Sequence, residues 1–88
     1  MKVTFLAKFS KDLDKLKDKN ARKSIKKAIL DVEQAESLNK ITGLKRLKGE
    51  KGAYRLRVGN YRIGLYIQND HIEMARVAHR KDIYDLFP

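Results

Sequence analysis

Between Tyr54 and Arg62 the chain runs Tyr-Arg-Leu-Arg-Val-Gly-Asn-Tyr-Arg, which leaves the backbone little choice but a β-hairpin. At the two-residue period of a strand, Tyr54, Leu56 and Val58 share one face and Arg55 and Arg57 the other. Gly59-Asn60 supplies a tight turn, since both residues tolerate positive φ at little cost. A second strand, Tyr61 to Ile67, then returns Arg62 toward the arginines of the first. Three guanidiniums on one hairpin repel one another, so such a cluster is tolerated where an anion offsets the charge. Arginine grips phosphate through a planar fork. The hairpin therefore points to a polyanion, RNA or DNA, as ligand.

Composition agrees with that direction. The 88 residues allow one domain, 1–88, and carry a formal charge of +10. A pI near 10 is the electrostatic footprint of a nucleic-acid or acidic-protein partner. With no cysteine, disulfides and thiolate metal sites are excluded. His71 and His79 stand too far apart for a helical metal pair, so no metal or other cofactor is expected. No apolar run approaches the ~20 residues of a membrane helix, and no signal-peptide core opens the chain. A cytoplasmic, folded protein is expected.

Along the chain, residues 2–7 read as a short strand. Ser10 has the chemistry of a helix N-cap for a helix over 10–18, with Phe9, Leu13 and Leu16 at helical spacing. Asn20 is placed to cap a second helix, roughly 21–36, whose apolar stripe is Ile25, Ala28, Ile29, Val32 and Ala35. Arg22, Lys23, Lys26 and Lys27 fall on the opposite face, which reads as solvated. Leu44 to Gly49 reads as a basic connector whose two leucines tuck beneath the sheet. Glu50-Lys51-Gly52 is a turn into the arginine strand. After Gln68-Asn69-Asp70, residues 72–77 form a last strand, and 81–87 a closing helical turn. The order predicts an α+β domain: an N-terminal strand, two helices on one face, a three-stranded antiparallel meander and a short helical tail.

The other sheet face then carries Arg55, Arg57, Arg62 and Tyr66, joined by His79, Arg80 and Tyr84 from the tail. Arginines hold phosphates and aromatic rings stack on splayed bases, which suits a single RNA strand. Cleaving RNA requires little more than aligning the substrate's own 2′-hydroxyl with the adjacent phosphorus. The protein must also stabilise the phosphorane charge and assist proton transfer. His79 has a suitable ordinary pKa and Tyr84 a phenol. Structural alternatives stand beside these roles. Arg55 and Arg57 could pair with Glu73 or Asp82, His79 could be a polar strand end, and Tyr84 could pack on the sheet. Tyr54 and Tyr61 read as packing residues.

Three segments together carry a family resemblance. Leu44-Lys45-Arg46-Leu47-Lys48-Gly49, then Tyr54 through Ile63, then Ala78-His79-Arg80-Lys81-Asp82-Ile83-Tyr84 resemble the RelE/ParE superfamily of bacterial and archaeal toxins, over the whole chain. The resemblance implies a toxin whose partner is an acidic antitoxin encoded in the same operon. RelE-type members are ribosome-dependent endoribonucleases that cut mRNA, whereas ParE-type members inhibit DNA gyrase; an inactive member is a third reading. The RelE type is favoured by the converging arginines and Tyr84. By position, Arg55 and Arg57 match two basic strand residues that are lysines in well-known members; arginine stays protonated at neutral pH. Arg62 matches the phosphate-stabilising arginine, Arg80 the arginine ending the last strand, and Tyr84 the tyrosine that stacks on a base. His79 belongs to a His-Arg variant of this ending and could take over proton transfer. Lys45, Arg46, Lys48, Lys51 and Tyr66 complete the expected RNA-contacting set.

Overall fold

Alternating apolar residues in the last third of the chain build the sheet on which everything else rests. In the computed structural model, which describes residues 1–88, the order is β1 (Lys2–Phe5), α1 (Ala7–Lys15), α2 (Lys19–Gln34), a 3-10 turn (Leu38–Lys40), β2 (Leu44–Arg46), β3 (Ala53–Val58), β4 (Tyr61–Gln68), β5 (His71–His79) and α3 (Ile83–Leu86). One five-stranded sheet has the order β1-β5-β4-β3-β2. β1 is parallel to β5, and every other pair is antiparallel. This is the expected α+β fold, with one strand more than the sequence suggests. None of its helices is long and apolar enough to cross a membrane.

The extra strand is the supposed basic connector. Leu44, Lys45 and Arg46 pair with Leu56, Arg55 and Tyr54. Nothing in Leu-Lys-Arg favours a strand by propensity; the exposed edge of β3 makes it one. The two leucines do not tuck under the same face. Leu44 packs on the main core and Leu47 on a smaller cluster across the sheet, as a separation of three along extended chain requires.

Both helices begin earlier than expected. α1 starts straight out of β1, where the Leu6 N–H donates to the Met74 carbonyl at 2.9 Å and no side chain caps the helix. Ser10 lies inside it. The early start turns Phe9 into the core, where it is 1% exposed. α2 is capped by Asp18 rather than Asn20; its carboxylate accepts from the N–H groups of Asn20 and Ala21 at 3.0 and 3.1 Å. A carboxylate at that end also meets the positive pole of the helix. Arg22 departs from the solvated face assigned to it. Its Nη1 donates to the carbonyls of Leu13 and Leu16, closing the C-terminal end of α1. Lys23, Lys26 and Lys27 are exposed.

The two faces of the sheet differ in what covers them. On one, Phe9, Ile25, Ile29 and Val32 of the helices pack on Leu56, Ile63, Leu65, Ile67, Ile72, Met74 and Val77, with Tyr54 and Tyr61 at the margin. The other face is not wholly open. Ile83 and Phe87 of the tail pack on Ala53 and Ala75, forming a second small core over half of it. Asp12 ties α1 to the sheet where β1 ends. It accepts from Nε and Nη2 of Arg76 at 2.8 and 3.1 Å, and from the Val77 N–H at 3.1 Å. The hydrogen bond to Asp12 raises the Arg76 pKa, against the opposing pull of burial.

Candidate functional site

The uncovered half of that second face is a cleft of about 770 Å³, lined by Thr42, Gly43, Lys45, Arg55, Arg57, Gly59, Arg62 and Tyr84 among others. Pairing in the sheet explains the convergence of charge. Arg57 stands opposite Arg62, and Arg55 opposite Lys45 on β2. Like charges placed directly across strands destabilise the pairing. No acid relieves them: the ion pairs are Lys27–Asp31, Lys40–Glu36 and Arg76–Asp12, all outside the cleft. The alternative in which Glu73 or Asp82 pairs with Arg55 or Arg57 is therefore not what forms.

Each of the three arginines is held by its own local device. The hairpin turn has positive φ at Gly59 alone, the pattern of a type II′ turn. The turn carbonyls of Gly59 and Tyr61 both accept from Arg62 Nη1 at 2.8 Å. The guanidinium is so aimed before any ligand arrives, with only one of its three nitrogens engaged. Arg57 is anchored through its backbone, whose N–H donates to the Gly43 carbonyl at 3.0 Å. Gly43 adopts φ +82°, and a β-carbon there would stand 3.2 Å from the Arg57 carbonyl. Arg55 lies with Cζ 4.4 Å from the centroid of the Tyr84 ring, a cation–π contact, while its Nε is buried without a hydrogen-bond partner. Tyr84 itself is 69% exposed, so a ring is offered to solvent beside four cations.

The cleft thus unites Arg55, Arg57, Arg62, Tyr84 and Lys45 and leaves out the rest of the expected set. His79 lies outside the cleft. It pairs with Tyr61 in the ladder and packs edge-on against that ring at 5.5 Å. It lines a separate depression with Asp12, Lys15 and Asp82. Its Nδ1 accepts from the Lys81 N–H at 3.2 Å. Arg80 stands exposed beyond the strand, its N–H donating to the Asn60 carbonyl at 2.8 Å, and does not line the cleft. Arg46, Lys48 and Lys51 surround a different hollow at Gly49–Glu50. Tyr66 shares the arginine face, but its ring is packed edge-on against Phe87 at 5.1 Å and its hydroxyl donates to Glu50 at 3.2 Å. Burial, then that hydrogen bond and the charges of Glu50 and Glu73, raise its pKa.

Thr42, Gly43 and Gly59 are lining residues that side-chain chemistry alone would not nominate. Gly64 is another overlooked position. A glycine between Ile63 and Leu65 in a buried strand signals a close approach, and the neighbour proves to be Phe87.

A small α+β sheet with helices on one face and a cationic cleft on the other is the build of a family of small toxins. Residues 3–84 match the family described as the ParE toxin of type II toxin-antitoxin system, parDE. Toxin RelE3 of Methanocaldococcus jannaschii is 46% identical over 89 residues, spanning the whole of both chains. In the crystal structure of a RelB-RelE antitoxin-toxin complex from Methanococcus jannaschii, a chain 44% identical superposes with a TM-score of 0.79, over 96% of this chain and 98% of that one. An archaeal RelE-RelB complex from Pyrococcus horikoshii OT3 shares the fold at 19% identity, TM-score 0.71, over 90% and 93% of the two chains. The chain belongs to the RelE/ParE superfamily of type II toxins.

Proposed function

We propose that the protein is a RelE-type mRNA interferase: a ribosome-dependent endoribonuclease that uses the substrate's 2′-hydroxyl as nucleophile and needs no metal. The observation that carries this reading is the uncompensated cluster of Lys45, Arg55, Arg57 and Arg62 beside the exposed ring of Tyr84. Arg62, preset by its turn, contacts the scissile phosphate and stabilises charge as the phosphorane forms. Arg55 and Arg57 hold the flanking phosphates, and Tyr84 stacks on a splayed base. The cleft lining contains no histidine, carboxylate or thiol; beside its arginines and lysine it offers the Tyr84 phenol. Alignment and charge stabilisation are then this chain's main contribution, and ribosome-held mRNA supplies the geometry. Expression should arrest growth through translation, with mRNA cut inside codons to leave 2′,3′-cyclic phosphate ends. Intact mRNA on ribosomes carrying the purified protein would sink the proposal.

The family match to a ParE toxin favours one second reading, inhibition of DNA gyrase without nuclease chemistry. A supercoiling assay separates the two, since only this reading expects gyrase to be blocked.

The partner in either case is an acidic antitoxin from the same operon. A relative 44% identical was solved as an antitoxin-toxin complex, and the charge of +10 on this chain suits an acidic partner. Co-expression with the neighbouring acidic reading frame should yield a co-purifying complex and restore growth.

A further inference from the structure

Tyr84 reaches the cleft from a helix too short to hold itself in place. α3 has four residues, and one helical turn is far below the length that is stable alone. Its position depends on two side chains on one face, Ile83 and Phe87, which are 0% and 4% exposed. Tyr84, one residue past Ile83, is rotated about 100° away from that face, toward Arg55.

The seat for Phe87 is built from residues chosen for what they lack. A β-carbon at Gly64 would collide with Cγ, Cδ2 and Cδ1 of the Phe87 ring. Ala53 and Ala75 complete the floor, and Tyr66 closes one side edge-on. Ala75 is available because the register slips next to Gly64, from Gly64 opposite Arg76 to Leu65 opposite Met74, leaving Ala75 as the extra residue of a bulge. Neither Gly64 nor Phe87 lines the cleft.

We propose that the socket made by Gly64, Ala53 and Ala75 is the positioning device of the cleft: by seating Phe87 it holds Tyr84 over the Arg55 guanidinium. Phe87 is a positioning residue that acts through Tyr84. Its effect on cleavage rests on the nuclease reading above, whereas the seating of the tail does not.

Two measurements test this. In proton NMR the Arg55 δ-methylene protons, on the carbon two bonds from the Cζ that sits 4.4 Å from the Tyr84 ring centroid, should be shifted upfield. That shift should vanish in Tyr84→Ala and equally in Phe87→Ala and Gly64→Ala. In cleavage of ribosome-bound mRNA, Phe87→Ala should lose activity by about tenfold or more, to the level of Tyr84→Ala, because loss of alignment is costly. The double variant should be no slower than Tyr84→Ala alone. Should Phe87→Ala fail to fold, Phe87→Leu keeps an apolar anchor but leaves part of the seat empty, and the same shift should weaken. An Arg55 shift that survives in folded Phe87→Ala, or that keeps its full size in Phe87→Leu, overturns the proposal. So does a double variant slower than either single one by the product of their effects. If the wild-type protein cleaves nothing, the nuclease reading falls and the NMR arm still decides the socket.

Discussion

At Arg62 one terminal nitrogen is spent on two carbonyls of its own hairpin, and the other two nitrogens are left for a ligand. That clamp lowers the entropy cost of aiming a long side chain at an anion. Arg62→Ala should therefore lower cleavage by about 10²-fold or more, the loss seen when a preorganised electrostatic donor is removed. Lys23→Ala removes the same charge from an exposed helix position and should leave the rate nearly unchanged. Equal losses from the two would mean that bulk basicity drives the effect. Tyr66 allows a prediction on pH. Its phenol pKa lies above the ordinary value of ~10, so the neutral form is the one the fold favours. The stability it contributes is complete below the unfolded pKa and is lost as pH rises through the higher folded one. An alkaline absorbance titration should show a late-ionising tyrosine component, and Tyr66→Phe should remove it. The arginines of the hairpin were legible in sequence because alternation and a Gly-Asn turn fix their face. His79 was not, for a definite reason. Ile72 and Met74 face the helices, and the bulge at Ala75 then moves the helix-facing parity to Val77 and so to His79. Without the bulge His79 would have pointed to the cleft side. Replacing it with Ala should leave cleavage close to that of the unmodified protein in the same ribosome assay.

Among the elements, α1 is joined to the sheet by a polar bracket as well as by Phe9. Asp12 and Arg76 are 15% and 20% exposed at their side chains, and Asp12 also holds the Val77 N–H at the point where β5 loses its neighbour β1. Removing the carboxylate leaves a mostly buried guanidinium and a strand N–H without partners. Asp12→Ala should cost about 2–3 kcal/mol, which for a chain of this size lowers Tm by roughly 10–20 °C. Asp31→Ala breaks the exposed pair to Lys27, with side chains 62% and 78% exposed, and should shift Tm by a degree or two at most. Parallel thermal melts decide it; similar shifts would mean the bracket is no stronger than a surface pair. Element type was readable where the apolar period was long, as in α2 and β4. It failed at β2, where three residues carry no period and pairing alone makes the strand. Helix starts were misplaced because two capping residues lie close together in Asp18-Lys19-Asn20, and because β1 runs into α1 with no capping side chain at all.

Across the whole molecule the excess of charge is not spread evenly. The cleft gathers four cations without an acid, while Asp12, Asp18, Asp82 and Asp85 border the depression that holds His79. A chain of +10 with such a face attracts an acidic partner over a distance comparable to the Debye length, about 10 Å at 0.1 M salt. Acidic groups of a partner that docks on the cleft would replace the missing counter-charge at Arg55, Arg57 and Arg62 and relieve their repulsion. Two modes of contact fit the surfaces available: an amphipathic helix laid beside α1 and α2, or a strand added to the exposed edge of β1 or β2. Either binding must cover the cleft or move the tail that carries Tyr84 if it is to silence the toxin. Steering by charge acts on the approach rather than on the docked complex. The association rate should thus fall on the order of tenfold or more between about 0.05 and 0.5 M salt, with a much smaller change in dissociation. Stopped-flow binding over a salt series measures both. An association rate indifferent to salt would place the recognition on apolar contacts and leave the cationic cleft to RNA alone.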